Sequence, residues 1–227
     1  MKPSLYFPFR LLTFLLLTLI GCKKESNTDP TTVTDIDGNV YHTVTIGTQV
    51  WMVENLKTTK YRNGDPIPNV TLDASWTALT SGAYCLYNND AANKITYGAL
   101  YNWFAVSDSR NIAPVGWHVP TDAEWTTLTD YLGGTSVAGG KLKESGTSHW
   151  ITPNTGATNS NSFTALPGGF RGFNGAFNYV DYYGFWWPTT NNSTTYAWFR
   201  YMSSNSVELF KLSDNKYYGF SVRCLKD

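Results

Sequence analysis

Half of one eighteen-residue stretch is aromatic: Phe170, Phe173, Phe177, Tyr179, Tyr182, Tyr183, Phe185, Trp186 and Trp187 all fall between positions 170 and 187. A segment so dense in rings reads as short strands whose aromatics supply core and surface together. Phe170, Trp186 and Trp187 are expected in the core of a loop-rich domain. Tyr179, Tyr182 and Tyr183 lie amid Asn178 and Asp181 and are the candidates for exposure and ligand binding. Over all 227 residues aromatics make up 16%, while charged residues are only 15%, with 17 cationic against 17 acidic side chains. An average soluble domain carries about 25% charged residues. This composition excludes a disordered chain, a coiled coil and a polytopic membrane protein. Without a Lys/Arg cluster it also offers no nucleic-acid footprint.

The N-terminus reads as an address. Lys2 and Arg10 precede the apolar run Leu11 to Ile20, which is too short to span a bilayer as a helix but suits a signal peptide. Leu19-Ile20-Gly21-Cys22 then resembles the bacterial lipobox. On this reading residues 1–21 are removed, Cys22 is lipidated, and the protein is anchored rather than free. The polar stretch 22–34 is a tether, and 35–227 is the folded domain. The partner so implied is a membrane of the cell envelope, most simply the outer membrane with the domain at the cell surface. Two cysteines then remain, Cys85 and Cys224, and an even remainder in an oxidising compartment predicts one disulfide.

No repeat is visible. Val40, His42, Val44 and Ile46 alternate with polar residues, and Gly47-Thr48 turns the chain into a second strand, so residues 40–55 are expected as a hairpin. Asp73 is expected to cap a short helix over 74–79, and 83–87 to be a strand. Tyr97 to Val106 leans helical, with Leu100, Trp103 and Phe104 on one face. Thr121-Asp122-Ala123-Glu124 is a capping box ahead of Trp125, Leu128 and Leu132, with Gly133-Gly134 as the stop. A second short helix is expected over 137–144. After a polar loop, strands are expected at 163–166, 169–173, 177–179, 185–188, 195–202, 206–212 and 218–224. The fold class is α+β.

Six blocks carry a resemblance. They are Gly47-Thr48-Gln49-Val50-Trp51-Met52-Val53-Glu54-Asn55-Leu56, Tyr97-Gly98-Ala99-Leu100-Tyr101-Asn102-Trp103, Gly116-Trp117-His118-Val119-Pro120-Thr121-Asp122-Ala123-Glu124-Trp125, Leu166-Pro167-Gly168-Gly169-Phe170-Arg171, Trp186-Trp187, and Gly219-Phe220-Ser221-Val222-Arg223-Cys224. In this order they resemble the Fibrobacter succinogenes major paralogous domain, a family of exported and lipoprotein domains. The third and last blocks are also similar to formylglycine-generating-enzyme-like domains. The resemblance implies a C-type-lectin-like domain of mixed short strands, two or so helices and long irregular loops. Its N- and C-terminal strands would lie together, with Cys224 placed for a tie to Cys85.

The chemistry of formylglycine-generating enzymes needs neighbouring thiolates and copper; here no second cysteine lies near Cys224, so no enzyme and no cofactor are expected. His42, His118 and His149 are not spaced as metal ligands. Asn63-Gly64-Asp65 and Asn88-Asn89-Asp90 could offer oxygens to calcium but read as ordinary turns, so no metal is expected. Arg171 and Arg223 are expected to pair with a carboxylate, Glu124 being a candidate. The function expected is binding or adhesion at the cell surface to a glycan or protein. A carbohydrate-active or redox enzyme, or a purely structural envelope component, is the alternative.

Overall fold

The computed structural model of the protein describes Met1 and residues 31–227. Cys22, the apolar run before it and most of the expected tether lie outside those residues. In chain order the elements are β1 (Thr32–Thr34), β2 (Val40–Ile46), β3 (Gln49–Met52), α1 (Asp73–Thr77), β4 (Tyr84–Cys85), α2 (Ala91–Tyr97), β5 (Leu100–Tyr101), α3 (Trp103–Val106), β6 (Trp117–His118), α4 (Asp122–Tyr131), α5 (Thr135–Leu142), β7 (Gly168–Arg171), β8 (Phe177–Val180), β9 (Tyr183–Trp186), β10 (Tyr196–Ser203), β11 (Phe210–Asn215) and β12 (Leu225–Lys226). The class is α+β, mostly strands. Among the described residues no helix is long and apolar enough to cross a membrane.

Two five-stranded sheets carry the domain, in the orders β1-β2-β3-β12-β6 and β11-β10-β9-β7-β8. The hairpin expected over 40–55 is β2 and β3, joined at Gly47. The C-terminal strand β12 pairs Leu225 with Trp51 of β3 and with His118 of β6, so the two ends of the domain share one sheet. The domain also begins earlier than residue 35: Thr32–Thr34, expected as tether, pairs antiparallel with β2.

The capping box closes as the sequence predicts. Thr121 Oγ1 accepts the Glu124 backbone N–H, and the Glu124 carboxylate accepts the Thr121 N–H at 2.7 Å. Trp125, Leu128 and Leu132 are all buried. Trp125 and Leu128 share one core with Trp51 and Leu225 of the first sheet and Trp186 and Met202 of the second. Helix α5 packs there despite two glycines because its neighbours demand them. A Cβ on Gly139 would lie 2.2 Å from the Glu208 carbonyl oxygen.

Other expectations shift. Asp73 does not cap α1 but is its first residue, and its carboxylate turns to Arg171. Helix α2, which no pattern announced, is capped by Asp90. The run 97–106 is not one helix: Gly98 ends α2 at φ 78°, Tyr101 pairs with Tyr84 and Phe220, and Asn102 caps the single turn α3. Residues 163–166 form only one bridge, Ala165 to Lys143. Residues 218–224 are extended but change partner at each step. Gly219 meets Arg171, Phe220 meets Tyr101, Ser221 meets Trp186, and the Cys224 carbonyl accepts from Met52. They form a spine between the sheets rather than a strand of either.

Loops of this length leave carbonyl oxygens without ladder partners, and buried cations satisfy many of them. Arg223 donates to the carbonyls of Met52, Val53, Phe163 and Thr164 and to Asn55 Oδ1. Lys143 Nζ donates to those of Thr155, Ser203 and Ser206 at 2.8–3.0 Å. Burial with no carboxylate partner pushes the Lys143 ammonium down to about 8. The expected arginine–carboxylate pair exists only at Arg171, with Asp73 rather than Glu124. Arg223 is held by amide oxygens instead.

Candidate functional site

The aromatic stretch resolves into two populations. Trp186 and Trp187 are fully buried. On the opposite face of the second sheet, half-buried rings pack against the main core and touch one another in rows. Alternation along β10 sets the two sides. Met202 and Arg200 point towards α4, where Arg200 meets Asp122 at 2.8 Å, while Tyr201 points away. Across the sheet Tyr201 lies opposite Phe185 of β9 and Phe210 of β11. The three rings stack in register, with centroids 5.7 and 4.6 Å apart and planes within 24° and 12°. Phe170 of β7 meets Phe185 edge-on at 5.2 Å, so one row crosses four strands. Such cross-strand aromatic pairs stabilise a sheet by about 0.2–1 kcal/mol each.

A second row meets the first at Phe170. Tyr179, Phe170, Tyr218 and Phe173 follow one another at centroid steps of 5.8, 5.4 and 5.7 Å. Its two ends protrude, Tyr179 being 54% and Phe173 55% exposed.

Both protruding rings are set by unusual backbone. Phe173 sits in the β7–β8 turn, which Arg171 clamps. Its Nε donates to the Gly175 carbonyl at 2.8 Å while its guanidinium nitrogens reach the carbonyls of Val70 and Thr71 and the Asp73 carboxylate. Arg171 also lies over the rings of Trp76 and Phe177 at 4.6 and 4.8 Å. Tyr179 has a left-handed backbone, φ 63°, which is an outlier for a bulky residue.

Of the three expected ligand-binding residues, the structure brings two together. Tyr179 and Tyr183 touch at 5.2 Å, and Tyr183 continues to Phe185 and Tyr201. Tyr182 is 47% exposed, but the ring contacts that build the face do not include it. Tyr201, Phe210 and Tyr218 belong to the face and were not singled out from the sequence. The alternation of Ala197, Phe199 and Tyr201 was the available signal.

The expected disulfide is corrected. Cys85 and Cys224 are both free thiols. Cys85 packs in a small cluster with Trp76, Tyr87 and Leu100. Cys224 packs in the main core with Tyr41, Met52 and Tyr101. Each fills a different apolar space, as small buried thiols do, and counting cysteines could not separate those spaces. Burial pushes the Cys85 thiol up to about 12 and raises Cys224 as well, so neither is a ready nucleophile.

Each histidine is engaged by carboxylates: His42 with Glu54, His149 with Glu144, and His118 with Asp227 at 2.7 Å and Glu124 at 3.0 Å. His118 borders a shallow polar cleft of about 360 Å³ with Ser107, Ser109 and Thr121. Both its ring nitrogens already face carboxylates, so none is left to activate a hydroxyl there. Burial alone would raise the Glu124 carboxyl, but the Thr121 amide and hydroxyl and His118 outweigh it and hold the group low. A smaller apolar cleft of about 230 Å³ lies between Ile36 and Ala113. Among the described residues no group of three His, Cys, Asp or Glu side chains could hold a metal ion. Asn63 and Asp65 bond each other in their turn, and Asp90 is spent on its cap.

Fold and face together define a small α+β domain, mostly strands, with linked aromatic rings on one side of its second sheet. The sequence profile of the Fibrobacter succinogenes major domain matches residues 44–226, and the chain belongs to that family. No curated protein and no solved structure matches it.

Proposed function

We propose that the mature chain is a lipid-anchored domain of the cell envelope, without catalytic activity, that binds or adheres through the aromatic face of its second sheet. The linked rings, with Tyr179 and Phe173 more than half exposed at their ends, carry this reading. Monomers rarely leave large apolar patches open without a use, and Tyr and Phe are common anchors of binding surfaces. The lipobox-like Leu19 to Cys22 supports anchoring, most simply in the outer membrane with the domain facing outwards. The shared sheet of β3 and β12, the helices α4 and α5 and the long loop after them support a C-type-lectin-like fold. The redox-enzyme alternative finds no support in Cys85 and Cys224, which are both fully buried in separate clusters.

Solid-phase binding of the mature chain to immobilised surface glycans and matrix proteins tests the reading. The double variant Phe173→Ala/Tyr179→Ala should lose binding and keep a cooperative melt. Equal binding by wild type and variant would remove the face from the account.

A further inference from the structure

We infer that the ligand of the aromatic face is a neutral, extended glycan lying along the row from Tyr179 to Phe173. This rests on the proposed binding role and names its ligand class. Three observations carry it, and the first is the state of the phenol groups. Three buried tyrosines spend their hydroxyls inside the fold, Tyr41 on Asp35 at 2.6 Å, Tyr97 on Asp181 at 2.9 Å and Tyr101 on the Thr58 carbonyl at 2.6 Å, while the buried Tyr61 hydroxyl has no hydrogen-bond partner among the described residues. The four tyrosines of the face, Tyr179, Tyr183, Tyr201 and Tyr218, are half-buried or exposed and cluster together. Among the described residues none of their hydroxyls has a partner within the chain. Four unspent groups that both donate and accept, set among apolar ring edges, match a ligand that alternates C–H surface with hydroxyl groups. A purely apolar partner would strand those hydroxyls.

Charge is the second observation. The cations of the two outer strands point to the other side of the sheet: Arg200 and Lys211 both bind Asp122, at 2.8 and 2.6 Å. On the ring side the nearby charges are the carboxylates Glu208 and Asp214. Beyond the effect of burial they help raise the phenols of Tyr201 and Tyr218. Carboxylates at the rim, with Arg200 and Lys211 turned to the other side, disfavour anionic polymers and favour stacking and hydrogen bonding.

Geometry is the third. The two most exposed rings of the face, Tyr179 and Phe173, stand at the ends of a row of three centroid steps, with Phe170 and Tyr218 between them. A single sugar can cover one exposed ring; a chain of several units can reach both. Engagement of the second face is then intramolecular and adds affinity without a new molecule.

Affinity gel electrophoresis of the mature chain tests the inference, with a soluble mixed-linkage β-glucan, a galactomannan and dextran as neutral probes. Alginate and heparin are the anionic probes. At least one neutral probe should retard the chain equally at low and at 0.5 M salt, and the anionic probes should not. Affinity for oligosaccharides of the retarding polymer should rise with length and then level off. Phe173→Ala/Tyr179→Ala should abolish retardation. Where that variant fails to fold, Tyr→Phe replacement at positions 179, 183, 201 and 218 keeps every ring and should weaken binding about tenfold or more. Retardation by none of the neutral probes, salt-sensitive retention on alginate or heparin, or indifference to the Tyr→Phe set overturns the inference. Binding of matrix proteins through the face with no glycan bound overturns it too and leaves the binding role standing. Loss of neither glycan nor protein binding in the double variant overturns both.

Discussion

Gly169 and Tyr179 lie between the same two rungs of β7 and β8, Gly168–Val180 and Phe170–Asn178, and both have a left-handed backbone, φ 62° and 63°. The glycine makes the tyrosine's position possible. A Cβ on Gly169 would stand 2.5 Å from the Asn178 carbonyl oxygen and 2.6 Å from the Val180 nitrogen, both main-chain atoms that cannot swing aside. Gly169→Ala should therefore destabilise the domain by about 2–4 kcal/mol, combining left-handed strain with overpacking. Urea denaturation measures it; a loss below about 0.5 kcal/mol would mean the two strands can part without cost.

Arg171 should matter far more than its ion pair. Its partner Asp73 has a side chain 66% exposed, whereas the arginine is fully buried beneath three carbonyls. Exposed carboxylates contribute little, so Asp73→Asn should cost less than about 1 kcal/mol. Arg171→Met leaves buried acceptors unpaired and should cost about 3 kcal/mol or more. Equal losses in thermal melts of the two variants would contradict this division.

Lys143 and the buried thiols should pull stability in opposite directions above about pH 8. Lys143, held down to about 8, sheds its proton in the folded state while the unfolded chain keeps it to about 10.5, so stability rises with pH across that window. The opposite holds for groups that burial raises: the Cys85 and Cys224 thiols and the phenols of Tyr41, Tyr97 and Tyr101. Their contribution is whole below the unfolded values, near about 8.5 for thiols and 10 for phenols. It is lost as pH rises beyond them. Chemical denaturation should show a steep fall above about pH 10 in both wild type and Lys143→Met, and between about pH 8 and 10 the wild type should gain stability relative to that variant. A stability profile level to pH 11 would refute the assignment.

Thiol labelling decides the cysteine assignment. Denatured, unreduced mature protein should take label at both Cys85 and Cys224, while the native protein resists it at both. Denatured protein that takes none would restore the crosslink.

Much of the local structure was legible because its signals are local. Thr121 and Glu124 stand three residues apart, and the alternation from Val40 to Ile46 needs no partner to be read. The face was only half legible. Tyr179 and Tyr183 share one hairpin, but Tyr201, Phe210 and Tyr218 join them only through strand register, which one sequence does not reveal. Arg171 and Arg223 suggested carboxylates because side-chain partners have names in a sequence. Four of the acceptors around Arg223 are main-chain carbonyls, which every residue owns and no residue announces.

The central claim is that the ring face is the contact surface, and tyrosine-selective ¹³C NMR of the mature chain tests it most directly. During titration with the neutral glycan that retards the chain, the ring signals of Tyr179, Tyr183, Tyr201 and Tyr218 should shift together and saturably. Those of the buried Tyr41 and Tyr101 should stay in place. Saturable shifts at other tyrosines with the four unmoved would contradict the account.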